Sequence, residues 1–267
     1  MNVKIIVACH KKCEVPEDRN IYLPVQVGAE GKEPVVGFTP DNTGDNISAK
    51  NFMYSELTGL YWAWKNLECD YFGLVHYRRC FAMKKKSTGK SLRNVLTESE
   101  VNELLKHHSI IVPVRRKYYI ETIYGHYSHT FDGTQLDNAK EIISEQCPEY
   151  IKSFDAVMRR RWGYMFNMYI MPKSLSDKYC EWLFKILFIL EQKTDTRRMN
   201  NFDMRYIGRV SERLFNVWLH YQISTYSVKE QDIVEVPCIY TGKINWPKKI
   251  ISFLMAKIFH RKYKKSF

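Results

Sequence analysis

The sequence lacks several features that would place it in a common functional class. It has no run of about 18 uninterrupted apolar residues, the minimum for a membrane-spanning helix. The amino-terminal segment, MNVKIIVACHKK, does not have the layout of a signal peptide. The seven cysteines form no C-x-x-C pair, so neither a zinc site nor a redox motif is indicated. These absences predict a cytosolic protein with reduced thiols.

The common nucleotide-binding and hydrolase motifs are missing too. No G-x-G-x-x-G follows the first apolar run, and no G-x-x-x-x-G-K-[ST] occurs anywhere. The usual dinucleotide and P-loop sites are therefore excluded. The sequence also contains no G-x-S-x-G and no H-E-x-x-H, the signatures of many hydrolases and zinc proteases.

The positive charge is concentrated at one end of the chain. The formal net charge is +12, but residues 243–267 hold eight basic residues and no acidic one. The other 242 residues then hold 33 basic against 29 acidic residues, a difference of only +4. A nearly neutral body with a basic tail favours an anionic surface as partner and argues against nucleic acid.

Strands alternate with helices along residues 1–242, which predicts one α/β domain with a mostly parallel, Rossmann-like sheet. Strands are predicted at 3–9, 21–27, 71–75, 109–113, 167–171 and 233–240. Helices are predicted at 50–67, 98–107, 174–192 and 210–221. Ser174 and Asp177 have the spacing of a capping box at the third helix. The polar and aromatic segment 115–164 allows no assignment.

The most informative segment is the end of the predicted 71–75 strand, where His76, Tyr77, Arg78 and Arg79 follow directly. Ligands of open α/β sheets bind outside the carboxyl ends of the strands. Adjacent guanidinium groups suit an anion with several oxygens because they are planar donors that stay charged. The alternative is that both arginines pair with acidic side chains across the loop.

Several blocks of sequence in a fixed order carry a resemblance to a known family. They are HK after the first strand, GDNIS-x-KN, ELTGLYWAWKN, DYFGLVHYRR, NMYIM, YCEWLF and SERLFNVW. Together they resemble a bacterial glycosyltransferase family, formerly a domain of unknown function, from capsule, exopolysaccharide and O-antigen gene clusters. Some of its members are galactofuranosyltransferases. The resemblance covers nearly all of residues 1–242 and implies a GT-A-type fold, a UDP-sugar donor and a saccharide acceptor.

The resemblance also implies roles for individual residues. The predicted donor-binding residues are Ala8, His10, Lys11, Asp45, Asn46, Ser48, Asn51, His76 and Tyr77. The predicted acceptor-binding residues are His126 and His129. The catalytic candidates are two late carboxylates, either of which would serve as general base, and the two arginines: Glu212, Asp203, Arg78 and Arg79.

Two of these assignments have alternatives in which the residues serve only the structure. Asp45 and Ser48 would then only organise the turn before the helix. Glu212, which the pattern places at a helix start, would then only interact with the helix dipole.

The strand end differs from that of most GT-A enzymes, which carry there an Asp-x-Asp pair that holds a divalent metal. Asp41 and Asp45 are too far apart in sequence to replace that pair. Arg78 and Arg79 would instead neutralise the diphosphate, since stabilising developing charge is often the largest catalytic effect. Mn2+ or Mg2+ bound through His76 is the alternative.

The basic tail predicts a short amphipathic helix. Ile250, Ile251, Leu254, Met255, Ile258 and Phe259 recur at three- to four-residue spacing after Pro247. Such a helix lies on an anionic membrane surface. The alternative is a helix packed on the domain.

The predicted function is transfer of a hexosyl group, galactofuranosyl in some family members, to a lipid-linked glycan at the cytoplasmic face of the cell membrane. A noncatalytic sugar- or anion-binding protein is the alternative, and nucleic-acid binding is not expected.

Overall fold

The computed structural model describes residues 1–88 and 91–242. The predicted amphipathic helix of the basic tail lies outside the described residues. The strands of the described part are, in chain order, β1 (Val3–Cys9), β2 (Tyr22–Gln26), β3 (Thr39–Pro40), β4 (Tyr71–His76), β5 (Arg79–Phe81), β6 (Ile110–Pro113), β7 (Arg116–Lys117), β8 (Trp162–Gly163), β9 (Tyr169–Pro172), β10 (Ile233–Val236) and β11 (Cys238–Tyr240).

The α-helices of the described part are α1 (Asn51–Tyr54), α2 (Leu57–Asn66), α3 (Glu98–His107), α4 (Ile123–Thr130), α5 (Thr134–Gln146), α6 (Ile151–Met158), α7 (Lys173–Lys193) and α8 (Tyr206–Ser224). Short 3-10 turns precede several of them, including Ser48–Lys50 before α1 and Asp203–Arg205 before α8. No helix of the described residues is both long enough and apolar enough to cross a membrane.

The central sheet has the strand order β10-β6-β9-β4-β1-β2-β3, with β5 and β11 added beside β4. Along this row the pairs β1–β2, β1–β4, β2–β3 and β6–β10 are parallel. Strand β9 runs antiparallel to both of its neighbours. The carboxyl ends of β1, β2, β4, β6 and β10 therefore meet at one edge, which the chain entering β9 also reaches.

Both faces of the sheet are covered. Ile6 and Leu74 lie in a core that includes side chains of α2, α7 and α8. Ile5, Val7 and Val75 lie in a second core with side chains of α3. Successive residues of a strand point to opposite faces, and burial on both faces explains the almost continuous apolar runs of β1 and β4.

Most predicted elements are confirmed, and the differences have physical causes. The predicted 50–67 helix is divided at Ser55, whose φ of 54° no helix accommodates. The predicted capping box is wrong, because α7 begins directly after Pro172 without a side-chain cap. Helix α8 begins at Tyr206, one turn earlier than predicted. The predicted closing strand is two strands, β10 and β11, and the unassigned 115–164 segment contains α4, α5 and α6.

Candidate functional site

The candidate site lies where β1 and β4 end side by side. Ala8 pairs with His76 in the parallel register, so the residues that follow both strands leave the sheet together. The rings of His10 and Tyr77 meet edge to face, with centroids 5.2 Å apart. The Arg78 guanidinium lies 5.0 Å from the centre of the Tyr77 ring. The two strand ends to which the sequence analysis assigned donor residues are therefore neighbours in the fold.

Several cations surround His10. Partial burial lowers the pKa of His10, and the positive charges of Lys11, Arg78, Arg205 and Lys32 lower it further. None of these four cations forms an ion pair within residues 1–88 and 91–242. Four uncompensated charges at the carboxyl end of a parallel sheet create a potential that attracts a polyanion.

The two adjacent arginines lie in different surroundings. The exposed Arg78 side chain is near His10 and Tyr77. The Arg79 guanidinium lies between two rings, 4.2 Å from the centre of Phe166 and 4.9 Å from that of Tyr240. Consecutive side chains diverge in this way because the chain turns from β4 into β5. Arg78 thus belongs to the cation cluster, by which we mean Lys11, Lys32, Arg78 and Arg205 around His10. Arg79 instead lies close enough to Glu212 to lower the pKa of that carboxyl group.

Glu212 is a carboxylate with an altered proton affinity. Its side chain is 18% exposed and pairs with Arg213, Oε2 to Nη1, at 2.8 Å. Burial raises the pKa of Glu212 and the charge of Glu56 adds to the rise, while Arg213, His76 and Arg79 oppose it. A carboxylate of this kind is a better proton acceptor near neutral pH than an ordinary surface glutamate. Glu212 lies in the second turn of α8, so a helix-start role does not explain it.

A hydrogen-bonded network orients the groups next to Glu212. Asn167 donates from Nδ2 to Glu56 Oε1 at 2.7 Å, and its Oδ1 accepts from Ser211 Oγ at 3.1 Å. His76 donates from Nε2 to the Phe166 carbonyl at 2.6 Å. Phe166 and Asn167 have φ values of 73° and 53°, which cost on the order of 1–3 kcal/mol each for non-glycine residues. Strain of this size is typical of functional segments.

A second set of hydrogen bonds shapes the loop beside the end of β1. Val27 donates its N–H to the Cys9 carbonyl at 2.8 Å, which places the following loop next to β1. Asp41 is fully buried and accepts from the N–H groups of Gly28 and Ala29, at 2.9 Å each, and from the Ser48 hydroxyl. Gly28 has a φ of 64° and a Cβ there would lie 2.5 Å from Asn51, so only glycine fits.

The other predicted donor residues of this region also contact their own turn. Asp45 Oδ1 accepts from the Tyr61 hydroxyl at 3.1 Å, and Asn46 Oδ1 accepts from the Ser48 N–H at 3.1 Å. Asn51 donates from Nδ2 to the Ser55 carbonyl at 2.7 Å. These contacts are those expected of residues that hold the turn and the helix after it in place. Binding of the sugar donor by these residues stays a prediction.

The two predicted acceptor histidines share one carboxylate. His126 Nδ1 lies 3.0 Å from Glu121 Oε2, and His129 Nδ1 lies 2.9 Å from Glu121 Oε1. His126 is buried, and burial lowers its pKa to about 4. His129 is partly exposed, so it is the one of the two that a ligand can reach.

Asp203, the second predicted base, is held by a loop residue. Asn200 donates from Nδ2 to Asp203 Oδ2 at 2.6 Å, at the start of the 3-10 turn before α8. Glu212 differs from Asp203 in its raised pKa, and a catalytic role for either carboxylate stays a prediction.

A cleft of about 370 Å³ opens between α8, β8 and β10, and we call it the α8 cleft. The guanidinium carbons of Arg115 and Arg160 lie 4.3 and 4.7 Å from the centre of the Trp162 ring, and all three residues line the cleft. Arg115 pairs with Glu235, Nε to Oε1, at 2.5 Å. The His220 Nδ1 is buried and has no hydrogen-bond partner in the described part of the chain. An aromatic wall with a few polar groups is typical of a small-molecule site.

The α8 cleft begins one helical turn from Glu212. Asn216 lines the cleft and donates from Nδ2 to the Glu212 carbonyl at 2.8 Å. Its Oδ1 accepts from the Tyr164 N–H at 2.7 Å, which fixes the strand side of the cleft to α8. Glu212 itself does not line the cleft, which extends along α8 from Asn216 toward Ser224.

The side chains at the strand ends do not fit a divalent metal ion. His76 is engaged through Nε2 with the Phe166 carbonyl. Across residues 1–88 and 91–242, no group of three or more His, Cys, Asp and Glu side chains could hold a metal. Mn2+ and Mg2+ prefer oxygen ligands, and the His76 Nε2 is already engaged with the Phe166 carbonyl.

Sequence reasoning did not assign a role to four residues that this geometry emphasises: Lys32, Glu56, Asn167 and Arg205. Lys32 and Arg205 are distant in sequence from the β1 and β4 ends that they approach. The one available signal was Asn167, since asparagine before a strand tolerates a positive φ better than most residues.

Comparisons with known proteins agree with this fold. The apo structure of the WbbM bifunctional glycosyltransferase matches with a TM-score of 0.82 and 28% sequence identity. The match covers 91% of this chain but 46% of that one, so this chain spans about half the length of the WbbM chain. The predicted fold class, a GT-A-like α/β domain with a mostly parallel central sheet, is confirmed. The comparison with curated proteins gives no match.

A family model described as a domain of unknown function (DUF4422) matches residues 4–223. This segment includes β1, β4, Glu212 and most of α8. Because the match spans most of the sequence, the chain belongs to this family.

Proposed function

We propose that the protein is a glycosyltransferase that moves a hexosyl group from a UDP-sugar to a saccharide acceptor. One observation supports this most strongly: the cations around His10 and the carboxylate of Glu212 both lie within electrostatic reach of residues at the end of β4, Arg78 in the first case and His76 and Arg79 in the second. Transfer from a nucleotide sugar needs a site for the charged leaving group, which the cations would supply, and a base for the acceptor hydroxyl, which Glu212 would supply. The likeness to WbbM adds support.

The donor diphosphate would bind at the ends of β1 and β4. Lys11, Arg78 and Arg205 lie near one another around His10 and have no carboxylate partner in the described residues. When the bond between the sugar and UDP breaks, the electron pair stays on the diphosphate oxygen. Fixed positive charges stabilise that developing negative charge without reorganisation at the moment of reaction.

Glu212 would act as the general base. As the acceptor hydroxyl oxygen forms its bond to the anomeric carbon, the hydroxyl proton passes to the Glu212 carboxylate. Asn167 holds Glu56, whose negative charge raises the pKa of Glu212, and the positive charge of Arg79 lowers that pKa. A single displacement of this kind inverts the anomeric configuration.

The acceptor would occupy the α8 cleft. Sugar hydroxyl groups both donate and accept, which suits a lining that mixes Glu235, Arg160 and the unpartnered Nδ1 of His220. Asn216 lines the cleft and donates to the Glu212 backbone carbonyl, so the cleft begins one helical turn from the proposed base. We further propose a lipid-linked glycan of capsule, exopolysaccharide or O-antigen synthesis as acceptor, at the cytoplasmic face of the membrane. The net charge of residues 243–267 supports that location.

A transfer assay with a panel of UDP-sugars, UDP-galactofuranose included, tests the proposal. The protein is incubated with each donor and a set of saccharide acceptors, and UDP release and the new glycoside are both measured. We expect at least one donor to be consumed in step with glycoside formation. Binding of UDP-sugars without any transfer would instead identify a noncatalytic sugar-binding protein.

A further inference from the structure

Two residues that line the α8 cleft, Arg115 and Arg160, belong to a larger group of basic residues. Strands β7 and β8 pair antiparallel and bring two cationic segments together. We call these six residues the basic rim: Arg115, Arg116, Lys117, Arg159, Arg160 and Arg161. Arg115 pairs with Glu235, and the other five form no ion pair within the residues that the structure describes. Glu230 lies close enough to Arg115 and Arg160 to act on their pKa values, so the uncompensated positive charge of the rim rests mainly on Arg116, Lys117, Arg159 and Arg161.

Next to the basic rim, Tyr119 and Ile120 form an exposed apolar tip. Their exposed fractions are 76% and 62%, although both are large apolar residues. Tyr119 has a φ of 58°, and the Ile120 N–H donates to the Tyr118 carbonyl at 2.7 Å across it. Arg161 also donates from Nη1 to the Tyr119 carbonyl at 3.4 Å. A tight turn that rim residues hold in a costly conformation thus presents two apolar side chains to solvent.

The same residues connect the tip to the interior. The Tyr118 N–H donates to the Arg161 carbonyl at 2.8 Å, and the Tyr118 side chain is buried. The Ile123 N–H donates to the Arg160 carbonyl at 2.7 Å. The tip is therefore fixed on both sides, and its exposure is a property of the folded domain.

We propose that the basic rim and the Tyr119–Ile120 tip dock on an anionic lipid surface. Cationic side chains attract anionic head groups, and an aromatic and an aliphatic side chain beside the rim can enter the boundary of the acyl chains. A nucleic-acid surface would use the cations and the tyrosine but would leave Ile120 without a favourable contact. Arg115 and Arg160 belong both to the rim and to the lining of the α8 cleft, so docking would bring the cleft to the membrane. This proposal stands whether or not the protein transfers a sugar.

Sedimentation with lipid vesicles tests the proposal in the full chain. The vesicles contain either phosphatidylcholine alone or phosphatidylcholine mixed with phosphatidylglycerol. The tip variant is Tyr119→Ser combined with Ile120→Ser. The matched control is Tyr226→Ser combined with Val36→Ser, because Tyr226 also has a φ of 58° and the two residues are 88% and 91% exposed. Thermal unfolding of both variants checks that the fold is retained.

We expect the wild type to bind the anionic vesicles, and the tip variant to bind them at least about tenfold more weakly, since two apolar contacts are lost. The control should bind like the wild type. Arg159→Glu combined with Arg161→Glu should also weaken binding and reduce its dependence on salt. Equal binding by the wild type and the tip variant would overturn the proposal, as would equal loss in tip variant and control. Tighter binding to a single-stranded oligonucleotide than to anionic vesicles, unaffected by Ile120→Ser, would identify a nucleic-acid surface instead.

Discussion

Replacing Glu212 by glutamine removes the proposed general base with little change in shape. Glutamine keeps an oxygen that can accept from Arg213, whose Nη1 lies 2.8 Å from the present carboxylate. A positioned general base contributes about 10²–10⁴-fold to a rate, which corresponds to about 2.7–5.4 kcal/mol of activation free energy. We therefore expect Glu212→Gln to lower kcat at least a hundredfold and to leave the KM for the donor nearly unchanged.

The pH dependence gives a second readout of the same variant. Burial raises the pKa of Glu212, and a base works only in its deprotonated form. The rate of the wild type should fall as the pH is lowered through this raised pKa. The fall should therefore occur at a higher pH than the ordinary glutamate pKa of about 4.3. The Glu212→Gln variant should lack this acidic limb, because glutamine does not titrate.

The assay is steady-state UDP release and glycoside formation across a series of pH values. Glu100→Gln is the matched control, since Glu100 is 24% exposed and pairs with Lys86 at 2.8 Å, much as Glu212 pairs with Arg213. Glu100 lies on α3, and glutamine can still serve in its capping box. A Glu212→Gln enzyme with at least a tenth of the wild-type kcat would refute the assignment of the base.

Three further predictions concern the strand ends. Arg78→Ala should lower turnover at least tenfold, about 1.4 kcal/mol, and reduce the salt dependence of donor binding, as measured by calorimetric titration with UDP at several salt concentrations. Arg79→Ala should move the acidic limb of the rate profile to higher pH, because the Arg79 charge lowers the pKa of Glu212; an unchanged limb would contradict this. Excess chelator should leave the transfer rate unchanged, since the strand-end side chains do not fit a metal, whereas a loss that added manganese restores would show a metal-dependent enzyme.

The strand ends were predictable because they follow from local pattern. The almost continuous apolar runs of β1 and β4 fix where each strand stops, and parallel pairing then brings His10 and Tyr77 together. The break at Ser55 was not predictable in this way. Apolar residues continue at helical spacing on both sides of it, so the sequence pattern hides a residue with a φ of 54°.

Helix α5 was missed although its sequence contains a usable signal. Leu136, Ala139, Ile142 and Ile143 are spaced for one helix face, and all four are buried. The preceding helix α4 has no such apolar pattern. Its residues Tyr127 and His126 are buried with hydrogen bonds to the polar partners Gln135 and Glu121. A search for periodic apolar residues does not detect the polar buried face of α4, so the whole segment was left unassigned.

The composition of the site was only partly accessible from sequence. Arg78 and Arg79 are neighbours in the chain, but their side chains serve different parts of the site because β4 turns into β5 between them. Arg205 approaches His10, and Asn167 holds Glu56, across more than a hundred residues of sequence. Contacts of this range depend on the strand order, which no local pattern specifies.

A crystal structure of the complex with UDP distinguishes the proposed donor site from any other. We expect the diphosphate to lie outside the carboxyl ends of β1 and β4, within hydrogen-bond reach of the Arg78 guanidinium and the Lys11 ammonium group. We also expect the Glu212 carboxylate to face the open side of the β-phosphate, where the sugar would be attached. A diphosphate bound elsewhere on the protein, with Arg78 and Lys11 left in solvent, would contradict the proposed donor site.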